Sequence, residues 1–195
     1  MNKDFLILQL KNIENAKRVN RLRVSNLVIE NKELFKPLLE LTFEVDNKLS
    51  IKAAWVLEFV CFEKLEWLVP YLDTFTKNIR FVKFDSVVRP VSKICNFIAI
   101  AYNSRKTSLI KETLTRNQID LIIETGFDWM ISEQKVAVKA YTMNSLFLFG
   151  KEYDWVHEEL KLIILKNIST GSPAYKARGK ITLSLINKYN LTKFH

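Results

Sequence analysis

Apolar residues recur along the chain at three- and four-residue intervals, in blocks long enough for helices and separated by short polar stretches. This spacing predicts helices over 3–12, carrying Phe5, Leu6, Leu8 and Leu10, and over 15–30, carrying Val19, Leu22, Leu27 and Val28. A third is expected over 32–44 and a fifth over 65–77, with Pro37 and Pro70 early enough to be tolerated near a first turn. Between them lies 48–62, the densest block, preceded by Asp46 in a turn. Asp85 and Ser86 are expected to cap a helix over 86–102. Asn103 to Leu114 breaks the pattern and reads as a basic loop with a short helical turn. Thr115 and Gln118 then have capping-box spacing, opening a helix to Ile131. Helices over 134–149, stopped by Gly150, and 152–168 follow, and Ser172 and Pro173 start the last, to about Asn190.

Ten helices joined by short connections make five pairs, with units at about 1–30, 31–63, 64–102, 115–150 and 151–190. The second helix of each pair brings a cation into register: Lys17, Lys52, Arg89, Lys139 and Lys176, spaced by 35, 37, 50 and 37 residues. The long interval contains 103–114 and reads as an ordinary repeat with an insertion. IKAA, VKAY and YKAR at the helix starts, and Trp67 and Trp155 in the following helices, support the register.

A period near 37 with paired helices, and an acid in the turn six residues before a basic residue, resembles the HEAT branch of the α-solenoids. Asp46 with Lys52 and Glu133 with Lys139 meet that step, whereas Asp85 lies four before Arg89, and Lys11 and Thr170 occupy the acid position in the outer units. The resemblance implies an all-α, right-handed superhelix of about five helix pairs spanning 1–195. It also implies a curved inner wall, built from the second helix of each pair, that binds another macromolecule. Some bacterial HEAT-like proteins are DNA glycosylases for alkylated bases, but no local stretch here matches their catalytic region. The Ser-Ser-x-Met-Pro loop of the adenylosuccinate lyase superfamily is not found either.

Composition agrees with helices: 48% of residues are hydrophobic, and only 4 Gly and 4 Pro leave few turns of the kind an all-β chain needs. Folding a chain of 195 residues should bury roughly 70% of its extended surface, so a sizeable core is available. No apolar run approaches the roughly 20 residues of a membrane span, and a cytoplasmic location is expected. Cys61 and Cys95 fall in apolar helices and read as buried free thiols. The net charge of +9 favours acidic partners. Basic and acidic segments alternate, so a basic surface has to be assembled from several units, and the last of them, 161–195, contains no acid.

Each in-register cation has a basic companion four residues away: Lys17 with Arg21, Lys48 with Lys52, Arg89 with Lys93, Lys135 with Lys139, Lys176 with Lys180. Residues four apart share a helix face, so stacking would align the ten along one wall. Two readings stay open. The stripe is either a track for an acidic protein or a nucleic acid, or a structural ladder in which Lys52 and Lys139 bridge the turn acids Asp46 and Glu133 between repeats. Trp55, Trp67, Trp129 and Trp155 read as packing residues, Trp55 being the one to watch beside Lys52. Catalytic chemistry is poorly provided for, because His157 and His195 are the only histidines and no glycine-rich phosphate loop or G-x-S-x-G occurs. A non-enzymatic scaffold without cofactor or metal is the expectation, with a protein partner ahead of a nucleic acid.

Overall fold

A computed structural model describes residues 2–193; Met1, Phe194 and His195 lie outside them. The described residues form eleven α-helices and no strand. They are α1 (Lys3–Lys11), α2 (Arg18–Glu30), α3 (Phe35–Thr42), α4 (Leu49–Glu63), α5 (Leu72–Asn78), α6 (Asp85–Tyr102), α7 (Leu109–Thr113), α8 (Arg116–Ile131), α9 (Val136–Phe149), α10 (Asp154–Ile168) and α11 (Pro173–Lys193). Helices α2, α4, α6, α9 and α11 pack side by side in that order, and α1, α3, α5, α8 and α10 back them. The result is an α-solenoid of five helix pairs, in which each of α4, α6 and α9 buries one flank against the unit before and the other against the unit after.

That packing explains the chemistry of the inner helices. α4 and α9 bury apolar or small residues on nearly every side: Ala53, Ala54, Val56, Leu57, Val60 and Cys61 in α4, Val138, Met143, Leu146, Phe147 and Phe149 in α9. Small polar residues sit at the tight approaches and bond to their own helix, as Thr182 Oγ1 does to the Arg178 carbonyl at 3.0 Å. Cys61 and Cys95 are buried and free, and burial pushes both thiols far above their usual range. Trp129 is buried, and Trp67 meets Phe35 edge-on at 5.9 Å, whereas Trp155 is 55% exposed beside Phe127. Trp55 is half-buried against the core.

Several helix boundaries differ from those expected. Residues 65–71 form a 3₁₀ helix, and α5 starts only at Leu72, because Pro70 has no N–H for an α-helical bond. Lys32–Leu34 is likewise 3₁₀ ahead of α3. α2 starts at Arg18, because Asn15 Oδ1 accepts the Lys17 N–H at 3.0 Å and holds Lys17 in an extended N-cap geometry. Neither Asp85 nor Ser86 caps α6: Phe84 holds the N-cap position with extended backbone, and Asp85 is the first helical residue. The capping box at Thr115 and Gln118 is present with both of its bonds. The irregular segment contains α7, which buries Ile110 and packs against α6 and residues 65–71.

His157 shows how α9 is joined to α10. Its Nε2–H donates to the Phe147 carbonyl at 2.8 Å, its ring stacks on Phe147 at 5.4 Å, and Gly150 supplies the space it fills. A Cβ at Gly150 would run into the imidazole. Gly150→Ala is therefore expected to destabilise the fold by about 1–3 kcal/mol, read as a lowered urea midpoint with an unchanged slope. Burial holds the His157 imidazole below its ordinary range, opposed by the Phe147 carbonyl and by Asp154 and Glu158. Because the unfolded chain then binds the proton more readily, stability is complete above about pH 6.5 and falls as pH drops below it. Urea unfolding at pH 7.5 and 5.5 should show this proton uptake in the parent and its loss in His157→Gln.

Candidate functional site: a basic cleft on the concave wall

Three inner helices meet in a cleft of ≈ 310 Å³. α2 contributes Arg18 and Arg21, α4 contributes Glu58, Phe59 and Phe62, and α6 contributes Arg89 and Lys93. Glu58 is only 3% exposed although it carries a charge. Its burial is tolerated because both carboxylate oxygens are engaged from the next repeat: Lys93 Nζ donates to Oε1 at 2.6 Å and Arg89 NH2 to Oε2 at 3.4 Å.

The Arg21 guanidinium lies 5.0 Å from the Phe59 ring centre and that of Arg18 lies 5.8 Å from it, each within cation–π range. Burial lowers the Arg21 pKa, Glu58 opposes that shift, and Arg89 and Arg18 add to it. Arg21 Nε is buried with no hydrogen-bond partner. On the far side, Lys93 approaches the Phe97 and Tyr141 rings, and Phe97 packs against Phe62, which is 64% exposed. Four cations thus face one carboxylate, over an aromatic floor with an apolar rim.

The polar line continues across the wall. Asn144 Nδ2 of α9 donates to Asn96 Oδ1 of α6 at 2.7 Å, and Arg178 NH2 of α11 donates to Asn144 Oδ1 at 3.0 Å. Arg178 is held below its usual range by burial and leaves its own Nε without a partner.

The structure separates the ten in-register cations. Arg21, Arg89 and Lys93 enter the cleft. Lys17, Lys48 and Lys135 occupy N-cap positions of α2, α4 and α9, and Lys176 lies in the first turn of α11, so these four form a rim. Lys180 lines an open groove along α11 with Leu183, Ser184 and Lys188.

The ladder assigned to Asp46 with Lys52 and Glu133 with Lys139 needs correcting. Asp46 meets Lys83 at 2.7 Å, and Lys52 Nζ instead donates to the Lys11 carbonyl at 2.8 Å. Lys52 leans to the preceding repeat and neutralises the negative end of α1, while the exposed turn acid reaches sideways to the next turn. Glu133 is exposed and, among the described residues, forms no ion pair with Lys139, which lies 5.9 Å from the Tyr175 ring centre. A second turn-to-turn contact joins Lys135 to Asp85 at 3.8 Å.

This pairwise stacking and the contacts that cross between units are those of a repeat solenoid, and a family model described as a HEAT repeat domain matches residues 9–186. The chain belongs to the HEAT-repeat family. No curated protein and no solved structure matches it. HEAT repeats generally serve as scaffolds for protein interaction. Among the described residues no helix of this HEAT protein is long and apolar enough to cross a membrane, and no cluster of three metal-ligating side chains occurs.

Sequence reasoning passed over Glu58, although it is the lone acid of the run WVLEFVCF in α4. An acid inside an apolar run that must be buried on both flanks requires cations from a neighbouring repeat, and Arg89 and Lys93 have the spacing to provide them. Replacing Glu58 with Gln leaves two half-buried cations without their counter-charge. The variant is expected to lose about 1–3 kcal/mol, measured by urea denaturation, with helical content retained.

Proposed function

We propose that this HEAT protein is a non-enzymatic scaffold whose concave cleft receives an acidic segment of a protein partner. The observation that carries the reading is the excess of cations over the single buried carboxylate, set on an aromatic floor. Arg89 and Lys93 share the single carboxylate of Glu58, which offsets one of their two charges, whereas Arg18 and Arg21 are held in place by Phe59 and keep their charge for a ligand. Arg21 Nε, a buried donor without an acceptor, adds a hydrogen bond that a carboxylate of the partner would complete. Phe62, 64% exposed, offers apolar contact beside the charges, and Ile100, 49% exposed, lies seven residues beyond Lys93 on α6. The matching segment therefore combines Asp or Glu with one large apolar side chain, a combination that gives steering from charge and residence from burial.

A second reading, nucleic acid, draws on the Phe62 and Phe97 rings, which lie beside Lys93 and could stack on bases. The two readings separate in one experiment. Fluorescence anisotropy with an acidic, leucine-containing peptide and with a single-stranded oligonucleotide of equal charge should favour the peptide. Arg18→Gln with Arg21→Gln should weaken peptide binding roughly tenfold or more, since each contact to a charged group is worth about 1.5–3 kcal/mol. Tighter oligonucleotide binding with a steep salt dependence would replace the protein reading by the nucleic-acid one. Unchanged peptide affinity in the double variant would remove the cleft from either.

A further inference from the structure

Away from the concave cleft, a second cavity of ≈ 460 Å³ opens where the last two inner helices begin. One wall is the start of α9, with Gln134, Lys135 and Lys139. The other is the end of α10 and the turn into α11, with Asn167, Thr170, Ser172 and Tyr175. No acidic side chain lines it. Lys135 has only the 3.8 Å contact to Asp85 across an exposed gap, and among the described residues Lys139 makes no ion pair.

Three features of this corner call for an anion. First, α9 and α11 both begin here, with no acid in either first turn, so two positive helix ends lie beside two lysines that they disfavour. Second, Tyr175 is 5% exposed and its buried hydroxyl makes no hydrogen bond of good geometry; the neighbouring Asn167 donates one amide N–H to the Ile163 carbonyl at 2.8 Å and keeps the other. Gln134 Oε1 is likewise buried and unpaired, an amide that can turn its NH₂ to an acceptor. Third, the ring of Tyr175 is seated by Gly171: a Cβ there would lie 2.6 Å from Tyr175 Cδ1. The phenol is therefore placed by the turn itself.

We propose that this corner is a binding site for a small phosphomonoester. Lys135 and Lys139 match the two charges of the phosphate group. The hydroxyls of Thr170 and Tyr175 and the side-chain amides of Gln134 and Asn167 supply donors for its oxygens. The volume exceeds that of a phosphate group and lies within the range of small-molecule sites, and Val136 and the Tyr175 ring give the organic part an apolar seat.

The test is a ¹H–¹⁵N titration of the full chain at pH 7 with inorganic phosphate, phenyl phosphate and sodium chloride at matched ionic strength. Both phosphates should saturate shifts confined to the amides of 134–139 and 170–176, with phenyl phosphate binding more tightly. Lys139→Gln should weaken both by about tenfold or more, and Tyr175→Phe should weaken them with the fold intact. Arg18→Gln with Arg21→Gln should leave both affinities as they are, so a failure of the concave cleft reading would not touch this result. Equal shifts with chloride, affinity retained in Lys139→Gln, or phenyl phosphate binding no better than inorganic phosphate would each overturn the proposal.

Discussion

The structure depends on one constraint: every inner helix between the two end ones must bury both flanks against its neighbours in the stack. An ordinary amphipathic helix has a broad polar face, but α4 and α9 have apolar or small side chains over most of their circumference, and only a narrow strip is left to the concave wall. A polar group on or beside that strip has little water to turn to. It must find its partner on the next helix, and so the polar contacts of the wall are contacts between repeats. Glu58 with Arg89 and Lys93 ties α4 to α6, and Asn96, Asn144 and Arg178 tie α6, α9 and α11. The surface open to a partner is thus the same set of groups that sets the stacking register.

The same stacking brings helix ends of one kind to one edge. Lys17, Lys48 and Lys135 stand at N-cap positions, where an acid or a small polar side chain would serve the helix better. α6 is the exception, with Asp85 in its first turn, and Asp85 is the group that Lys135 approaches. Lys52 is different in kind: it reaches the last carbonyl of α1, where a cation belongs. A single stripe of cations in sequence is therefore three environments in space. Some pair with a buried acid, one donates to a backbone carbonyl, and some are left at positive helix ends.

How much of this was legible follows from what each feature depends on. The all-α solenoid was readable because its signals are local and repeated: apolar spacing, the Thr115–Gln118 box, the Gly150 stop and the Ser172–Pro173 start. The 3₁₀ course of 65–71 was not: Pro70 marks where one α-helical bond is lost, but how far the 3₁₀ stretch extends depends also on how the segment meets its neighbours, α7 among them. Around the candidate cleft, Arg21, Arg89 and Lys93 were already aligned by register, but Glu58, the partner of Arg89 and Lys93, was missed. Glu58 lies six residues beyond Lys52, outside the positions a repeat alignment compares, and its significance comes only from burial. In the ladder reading Asp46 was set against Lys52, and the contacts found, Asp46 with Lys83 and Lys52 with the Lys11 carbonyl, differ for a related reason. Sequence spacing places both near one helix start, but not which neighbouring repeat each one faces.

The two basic sites differ in a way that bears on what each can hold. In the concave cleft Glu58 already satisfies Arg89 and Lys93, so a small free anion would have to share those cations with a carboxylate that cannot leave. A longer ligand can bypass the pair and engage Arg18 and Arg21, while its apolar side chains use Phe62 and Ile100. The corner at α9 and α11 has no internal carboxylate, two lysines free of strong ion pairs and a buried hydroxyl in need of a partner. There a single compact charge gains every available contact at once, and an extended chain gains nothing more by its length. On the two proposals, the internal counter-ion would therefore divide the labour of the two surfaces, a segment being favoured where Glu58 is present and a compact group where no acid is present.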